Sequence, residues 1–310
     1  MNICSLLPGA TEIVAALGLA DDLVGISHEC DYPVTVRNKR VLIKPTVDPT
    51  RISSPEIDHQ VRTAVAAGES LYMLDESGFT QARPDLVITQ DLCDVCAVTP
   101  EQVHRAIRAL PRPPEVLTLN PNCLADVIED IERIAGATGC VTQGHVFATA
   151  LRNRLDAIRE KISAARHRPR VVCLEWLDPV YIGGHWVPEM VALAGGDDVL
   201  GEAGAASRVV NWDAVIAARP DILLIMPCGF AIARTKSELH RLTSRPGWTT
   251  LPAVIQNRVF AVDAAAYFSR PGPRLVGGVE ILASLFHPDR VQLAAHEHAQ
   301  QVTTDADGTG

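Results

Sequence analysis

The sequence predicts an α/β protein of two Rossmann-like lobes, each with a central sheet, joined by a single long helix. Residues 82–90 and 218–226 both begin Ala-Arg-Pro-Asp and continue as a short apolar run. Such runs are buried parallel strands when helices flank them. A weaker pair begins at Ile3 and at Val171, where an apolar run leads into a helix that ends at glycine. The recurrence of strand-turn pieces therefore predicts two lobes of the same kind.

The first strand leads into a helix whose start and end carry recognisable signals. Thr11 can cap the helix, Glu12 is favoured near its positive end, and Gly18 suits a left-handed stop. The corresponding pair in the second lobe runs from a strand at 171–174 to a helix at 188–196.

Helices are predicted between the lobes. Residues 124–139 predict one helix, and residues 141–167 predict a longer one that Pro169 stops. One apolar stripe follows helical spacing along the longer helix: Phe147, Leu151, Leu155, Ile158 and Ile162. At ~1.5 Å per residue such a helix spans ~35 Å, about the width of a domain. We therefore expect a rigid connection that allows small domain motions.

These patterns divide the chain into four parts. The last part is polar and ends Asp-Ala-Asp-Gly-Thr-Gly, so we expect it to be disordered. The predicted parts are an amino-terminal α/β lobe (1–121), linking helices (122–167), a carboxy-terminal α/β lobe (168–290) and a disordered tail (291–310).

The composition excludes several classes of protein. The 310 residues are 47% hydrophobic and 21% charged, which is typical of globular chains and excludes a disordered one. A net charge of −9 argues against a nucleic-acid partner. No apolar run approaches the ~18–20 residues of a membrane span. The first residues lack a leader pattern, so we expect a cytoplasmic protein with reduced thiols, or a periplasmic one if a leader precedes Met1.

Residues that follow predicted strands carry the candidate chemistry, because ligands of open α/β sheets bind beyond the carboxyl ends of the strands. This set is rich in histidine, cysteine, glutamate and aromatic rings. The candidate ligand-binding residues are His28, Glu29 and Cys30 in the first lobe and Trp176, Tyr181, His185, Trp186, Cys228, Tyr267 and Arg270 in the second.

Cys93 and Cys96 form the sharpest local motif, with two residues between them. Thiols at this spacing hold a transition metal, form a redox pair or are plain structural residues, and the motif leaves all three open. His28 has two interpretations as well, a nitrogen ligand for cobalt or another transition metal, or a loop residue that only forms hydrogen bonds. The chain contains no Ser-His-Asp order, no phosphate-binding glycine loop and no His-Glu-x-x-His, so no enzyme is predicted.

A family resemblance runs through residues 1–288. Its motifs, in order, are Ser-Leu-Leu-Pro-Gly-Ala-Thr-Glu-Ile at 5–13, Val-Gly-Ile-Ser at 24–27, Asp-Tyr-Pro at 31–33, the two Ala-Arg-Pro-Asp segments, Val-Thr-Pro-Glu-Gln-Val at 98–103, Gly-Gly at 195–196 and Arg-Pro-Gly-Pro-Arg at 270–274. Together they resemble the class III, helical-backbone substrate-binding proteins for vitamin B12, haem and iron-siderophores. The chain is most similar to the vitamin B12-binding members. It differs from them at 27–30, where they carry an aromatic residue, and at 90–96.

The resemblance implies a ligand cleft between the two lobes and a non-catalytic protein that binds a corrinoid such as cobalamin, as the substrate-binding protein of an ABC transporter or as a cytoplasmic carrier. We expect a monomer. Trp176, Trp186 and Tyr267 would then lie against the corrin plane, and Arg270 would contact its amides or phosphate. In exported relatives one acidic residue on each lobe docks an ABC permease. Glu101 and Glu189 are the candidates for that role, but each follows a proline in the first turn of a helix, and simple helix capping is the preferred interpretation of both.

Two other functions remain open at this point. The family layout puts the loop 28–30 next to Cys93 and Cys96, so the cluster could serve a metal-dependent enzyme or a metal or haem sensor. A scaffold protein with a vestigial cleft is the other hypothesis.

Overall fold

The computed structural model describes residues 1–90, 100–292 and 297–302. The chain divides into two compact units, and each is an α/β unit with its own sheet. The first unit contains Met1–Pro121, Ala125–Arg152 and Pro271–Pro273, and the second contains Asn122–Leu124, Asn153–Arg270 and Arg274–Gly310. The α/β class with two sheets is the predicted one.

The first unit has a sheet of six described strands in the order β4-β3-β2-β1-β5-β6. All neighbours are parallel except β3 and β4. The order reverses between β1 and β5, and this is the point where open sheets of this kind bind ligands. The strands are β1 (Ile3–Ser5), β2 (Leu23–Ser27), β3 (Val41–Pro45), β4 (Tyr72–Leu74), β5 (Leu86–Thr89) and β6 (Glu115–Thr118).

The second unit has a mixed sheet in which β10-β8-β7-β11-β12-β13 are neighbours and β9 also pairs with β7. Strands β7, β11 and β12 are parallel, whereas β8 and β13 run antiparallel to β7 and β12. The strands are β7 (Arg170–Leu177), β8 (Val180–Ile182), β9 (Asp197–Asp198), β10 (Arg208–Val209), β11 (Ile222–Ile225), β12 (Val259–Val262) and β13 (Ala299–Gln301).

Helices connect the parallel strands in both units. The α-helices are α1 (Pro8–Ala16), α2 (Ser54–Ala66), α3 (Glu76–Ala82), α4 (Pro100–Arg108), α5 (Leu124–Ala137), α6 (Val141–Ile162), α7 (Val187–Leu193), α8 (Trp212–Ala218), α9 (Ile232–Ser237), α10 (His240–Thr243), α11 (Pro252–Ile255), α12 (Ala264–Tyr267) and α13 (Leu275–Phe286). Three short 3₁₀ turns add Ala20–Asp22, Val34–Asn38 and Trp248–Thr250. No helix in the described part of the chain is both long enough and apolar enough to cross a bilayer.

The repeated Ala-Arg-Pro-Asp segment makes the same contact in each unit. Asp85 Oδ2 accepts a hydrogen bond from the amide of Asn2 at 2.8 Å, at the start of β1. Asp221 Oδ2 accepts one from the amide of Arg170 at 2.9 Å, at the start of β7. In both units the aspartate before one strand therefore fastens the beginning of its neighbour, and this supports the interpretation that the halves repeat.

The arginines of the two repeats occupy a conformation that disfavours side chains. Arg83 and Arg219 are exposed and have φ angles of 46° and 45°, in the left-handed region. We expect Arg83→Gly and Arg219→Gly each to raise the free energy of unfolding by about 0.5–1 kcal/mol, because glycine adopts this conformation without a Cβ clash. Urea denaturation of the two variants measures the change. Alanine at the same positions is the control, and glycine variants no more stable than the alanine variants would contradict the explanation.

The largest differences between predicted and observed boundaries lie at the end of α6 and in the carboxy-terminal tail. Helix α6 ends at Ile162 rather than at residue 167, because Ser163 turns back and its hydroxyl donates to Glu160 O at 2.7 Å. The predicted disorder of 291–310 is wrong for 297–302, where β13 pairs with β12. Ala299 and Val302 are each 6% exposed there. A polar segment can form an edge strand because only one of its faces needs to be apolar.

Candidate functional site

In the first unit, the loop after β2 carries three of the predicted site residues. His28 and Glu29 are partly exposed, whereas Cys30 is only 4% exposed. The loop is a tight turn in which the amide of Cys30 donates to Ser27 O at 3.1 Å, and His28 Nδ1 lies 3.4 Å from Ser27 Oγ. The turn therefore holds the imidazole at the carboxyl end of β2.

Tyr72 lies beside His28 and was not predicted. The two rings have their centroids 5.8 Å apart with a 37° tilt. Tyr72 begins β4 and pairs with Pro45 at the end of β3, so the antiparallel edge strand returns a phenol to the carboxyl edge. The sequence signal for β4 is weak because the strand has only three residues, so its residues were not considered as strand ends.

Cys30 contacts helix α1. Its sulfur lies 3.0 Å from Thr11 Oγ1, which donates at 2.8 Å to Ser5 Oγ. Thr11 was predicted to cap the helix, but its hydroxyl lies inside the unit among polar partners. This chain of buried groups fastens the turn after β2 to the start of α1, and it makes Cys30 a packing residue of the loop.

In the second unit, Trp176 lies near the carboxyl end of β7 and contacts Phe230, with ring centroids 5.3 Å apart. The guanidinium of Arg234 lies over the ring of Phe230, 5.1 Å from its centroid. We call Trp176, Phe230 and Arg234 the aromatic ledge. Arg234 is paired with Glu238 at 2.6 Å, and the Glu238 side chain, 6% exposed, also pairs with Arg241.

Two predicted residues adjoin the ledge. Tyr181 on β8 is the cross-strand partner of Trp176, so their side chains share one face of the hairpin. Cys228 is exposed between β11 and Phe230, and its amide donates to Glu175 O at 3.0 Å. The structure therefore brings Trp176, Tyr181 and Cys228 together.

Tyr267 and Arg270 follow β12, at the same edge of the sheet. The amide of Gly229 donates to Ser269 Oγ at 3.1 Å, which joins this segment to the loop that carries Cys228. The hydroxyl of Tyr267 lies 3.2 Å from Nε2 of His298, and Arg274 lies over its ring at 5.9 Å. Arg270 is partly exposed.

The loop after β8 packs closely against the backbone of residues 205–207. A Cβ on Gly184 would lie 2.2 Å from the amide nitrogen of Ser207, so only glycine allows this approach. The glycine therefore serves a contact between two loops of the same unit. His185 follows with a φ of 49°, and its amide donates to Ala205 O at 2.6 Å. Burial lowers the pKa of His185, which favours the neutral imidazole.

Oε1 of Glu175 accepts a hydrogen bond from the amide of Gly184 at 3.3 Å. Burial raises the pKa of Glu175 to about 7, and the negative charge of Asp198 adds to the shift. The amide of Gly184 and the hydroxyl of Ser207 oppose the shift. A carboxyl group beside Trp176 is therefore partly protonated near neutral pH.

Trp186 lies inside the second unit. It is 7% exposed, and its indole N–H donates to Phe268 O at 2.7 Å. The ring therefore supports the segment that carries Tyr267, at its next residue Phe268, and presents little surface to solvent.

The remaining predicted residues are placed as follows. Glu189 accepts a hydrogen bond from the amide of Leu124 at 2.8 Å, so it caps the start of α5 rather than its own helix α7. Glu101 lies in the first turn of α4, and its side chain is outside the described part. Cys93 and Cys96 lie outside the described residues. Within residues 1–90, 100–292 and 297–302, no three histidine, cysteine, aspartate or glutamate side chains group in a way that suits a metal ion.

Comparison with known proteins gives a consistent family. The sequence profile described as "Periplasmic binding protein" matches residues 3–266. YvrC of Bacillus subtilis, described as an uncharacterized ABC transporter substrate-binding lipoprotein, is 26% identical over 304 residues, which cover 93% of this chain and 80% of that protein. A vitamin B12-binding protein of Vibrio parahaemolyticus is 22% identical over 288 residues, which cover 90% of this chain and 86% of the relative. The crystal structure of a periplasmic heme-binding protein from Pseudomonas aeruginosa has a TM-score of 0.75 at 17% identity, with 99% of both chains covered.

The match to the family profile, together with the side chains on the loops at the sheet edges, defines a binding protein rather than an enzyme. The chain belongs to the periplasmic binding protein family, whose members are non-catalytic substrate-binding proteins. The predicted family resemblance and the predicted lack of catalysis are thereby confirmed.

Two expectations receive no support from the comparisons. The family is described as periplasmic and the Bacillus relative as a lipoprotein, which does not support the cytoplasmic location expected for this chain. The Bacillus and Vibrio relatives and the Pseudomonas structure are described as binding proteins, and none of the three is described as a metal-dependent enzyme or sensor. The metal-binding hypothesis is thus supported neither by a cluster of metal ligands among the described residues nor by these three proteins.

Proposed function

We propose that this protein binds a corrinoid outside the cytoplasmic membrane and delivers it to an ABC transporter. The aromatic ledge at the carboxyl edge of the second sheet is the observation that carries the proposal. Flat macrocycles gain most from rings that present an apolar face and are themselves held in place. The similarity to proteins named vitamin B12-binding supports this class of ligand.

The ledge suits such a ligand because its members are fixed before binding. Phe230 is 5% exposed and supports the more exposed ring of Trp176. Arg234 is held over Phe230 by the carboxylate of Glu238. Tyr181, Cys228, Tyr267 and Arg270 are proposed as neighbouring contacts, with His185 beside them. Trp186, in this proposal, supports Tyr267 from inside the unit.

Replacing Trp176 by alanine is expected to weaken cyanocobalamin binding at least about 10-fold, because the ring is the largest partly exposed apolar surface on the ledge. Calorimetric titration measures the change, and Trp176→Phe should recover part of it. The control is Ile255→Ala, which removes an exposed apolar side chain from α11, before β12 and away from the carboxyl edge. Wild-type protein that neither releases heat nor co-elutes with cyanocobalamin would contradict the proposed ligand.

A second candidate ligand is haem, and the pair of His28 and Tyr72 favours it. Imidazole and phenolate are both known axial ligands of haem iron. One similar structure is described as a heme-binding protein. Haemin titration followed by the Soret band distinguishes the two ligands. Haem binding that disappears in His28→Ala or Tyr72→Phe would select the second candidate.

Delivery to a transporter requires a docking surface, and Glu101 and Glu189 are our candidates for it. Because Glu189 also holds the amide of Leu124, a docking test of Glu189→Gln needs a thermal-stability measurement beside it.

A further inference from the structure

We propose that His298 positions Tyr267, so that the carboxy-terminal segment 297–302 is a working part of the ligand site. This inference rests on the proposed function, in which Tyr267 contacts the ligand. It adds a residue from a segment that sequence patterning assigned to a tail.

The strand register places His298 at the correct edge of the sheet. In β13 Ala299 pairs with Val262, the last residue of β12, and the strands are antiparallel. His298 therefore lies opposite Asp263, just beyond the carboxyl end of β12, and the amide of Asp263 donates to His298 O at 3.0 Å. Tyr267 lies one helical turn further on, at the end of α12.

Two contacts join the side chains. The Tyr267 hydroxyl lies 3.2 Å from His298 Nε2, and the ring centroids are 4.7 Å apart at a 49° tilt. Whichever group donates, the hydrogen bond fixes the rotation of the phenol O–H, which otherwise turns to suit its surroundings. Arg274 lies over the Tyr267 ring, so the phenol is held at its hydroxyl by His298 and at its ring face by Arg274.

The same segment forms one wall of a cavity beside this edge. The cavity has a volume of about 500 Å³, and Glu297 and Gln300 line it together with Asp263 and Lys236. Lys236 Nζ donates to Gln300 Oε1 at 3.2 Å, which fastens the segment to α9. Contacts with α9, β12 and α12 therefore hold the segment that carries His298, and a positioning residue has to be held in this way.

The first experiment needs no ligand. The chain has four tyrosines, so protein labelled with 3-fluorotyrosine gives four ¹⁹F resonances, and Tyr267→Phe identifies the one from Tyr267. We expect His298→Phe to shift that resonance and His298→Gln, which keeps a hydrogen-bonding group, to shift it less. Gln301→Ala is the matched control, because it removes one side-chain hydrogen bond, to Asn257 O, from the same strand. An unchanged Tyr267 resonance in His298→Phe would overturn the proposal.

The second experiment measures binding. His298→Phe is expected to weaken cyanocobalamin binding about 3- to 10-fold, because the Tyr267 phenol is no longer held in one orientation, and to lower the thermal midpoint by a few degrees at most, because one hydrogen bond within the protein is lost. His298→Gln should restore most of the affinity, and His298→Phe should have no further effect in a Tyr267→Phe background. A shifted resonance with unchanged affinity in His298→Phe would reject the role in binding. If wild-type protein binds neither cyanocobalamin nor haemin, the proposed function fails, while the ¹⁹F result still decides whether His298 holds Tyr267.

Discussion

Replacing Glu175 by glutamine is expected to stabilise the protein by about 1–3 kcal/mol at pH 8 and to leave it little changed at pH 4. The pKa of Glu175 is raised in the folded protein to about 7, from an ordinary value of 4.5, chiefly by burial. Between these values the unfolded chain loses the proton more readily than the folded one. The contribution of Glu175 to wild-type stability therefore falls as pH rises through this window and is constant above it. Glutamine carries no charge at any pH and can still accept the amide of Gly184.

The measurement is urea denaturation of both proteins at a series of pH values from 4 to 9. The difference between variant and wild type isolates Glu175 from the other titrating groups, which both proteins share. Glu202→Gln is the matched control, because Glu202 is exposed on a neighbouring loop and surface changes usually stay within about 0.5 kcal/mol. A Glu175→Gln difference that stays flat across this pH range would show that the carboxyl group is not held protonated.

Replacing Gly9 by alanine is expected to destabilise the first unit by about 3 kcal/mol, near the upper end of overpacking effects. A Cβ on Gly9 would lie 2.0 Å from the carbonyl oxygen of Pro271 and 2.7 Å from its carbonyl carbon. Both are backbone atoms, so no side-chain rotation relieves the clash. The segment Pro271–Pro273 belongs to the same unit and has to move away from α1.

Thermal and urea denaturation measure the loss, and Gly136→Ala provides the contrast. Gly136 is an exposed residue of helix α5, and a Cβ there would meet nothing within 4 Å. Alanine should therefore stabilise the protein at that position, by up to about 1 kcal/mol. Equal effects at the two positions would mean that the contact between Gly9 and Pro271 is not tight in solution.

Part of the site was predictable because its position follows from chain order. A residue after a short apolar run lies at the carboxyl edge of a parallel sheet, which is why His28, Trp176 and Tyr267 were selected as candidates. Tyr72 and His298 reach the same edges from antiparallel strands, where the amino end of the strand points to the ligand side. A rule based on strand ends does not select such residues.

The local sequence pattern also does not predict which of the candidate aromatic rings are exposed to solvent. Trp176 and Trp186 look alike in sequence, yet Trp176 is partly exposed on Phe230 while Trp186 is buried with its N–H bonded to Phe268 O. The difference comes from contacts with residues more than fifty positions away along the chain. Burial of a ring is a property of its neighbours, and those neighbours are brought to it by the fold.

The amino-acid order was enough to establish the α/β class, the repeated halves, the long helix and the family. Those features depend on local spacing, turn residues and apolar runs, which act over a few positions of the chain. Tertiary contacts alone settled the pairing of β13, the partners of Tyr267 and the raised pKa of Glu175. Each of these depends on which distant groups share a buried space, and packing determines that rather than sequence spacing.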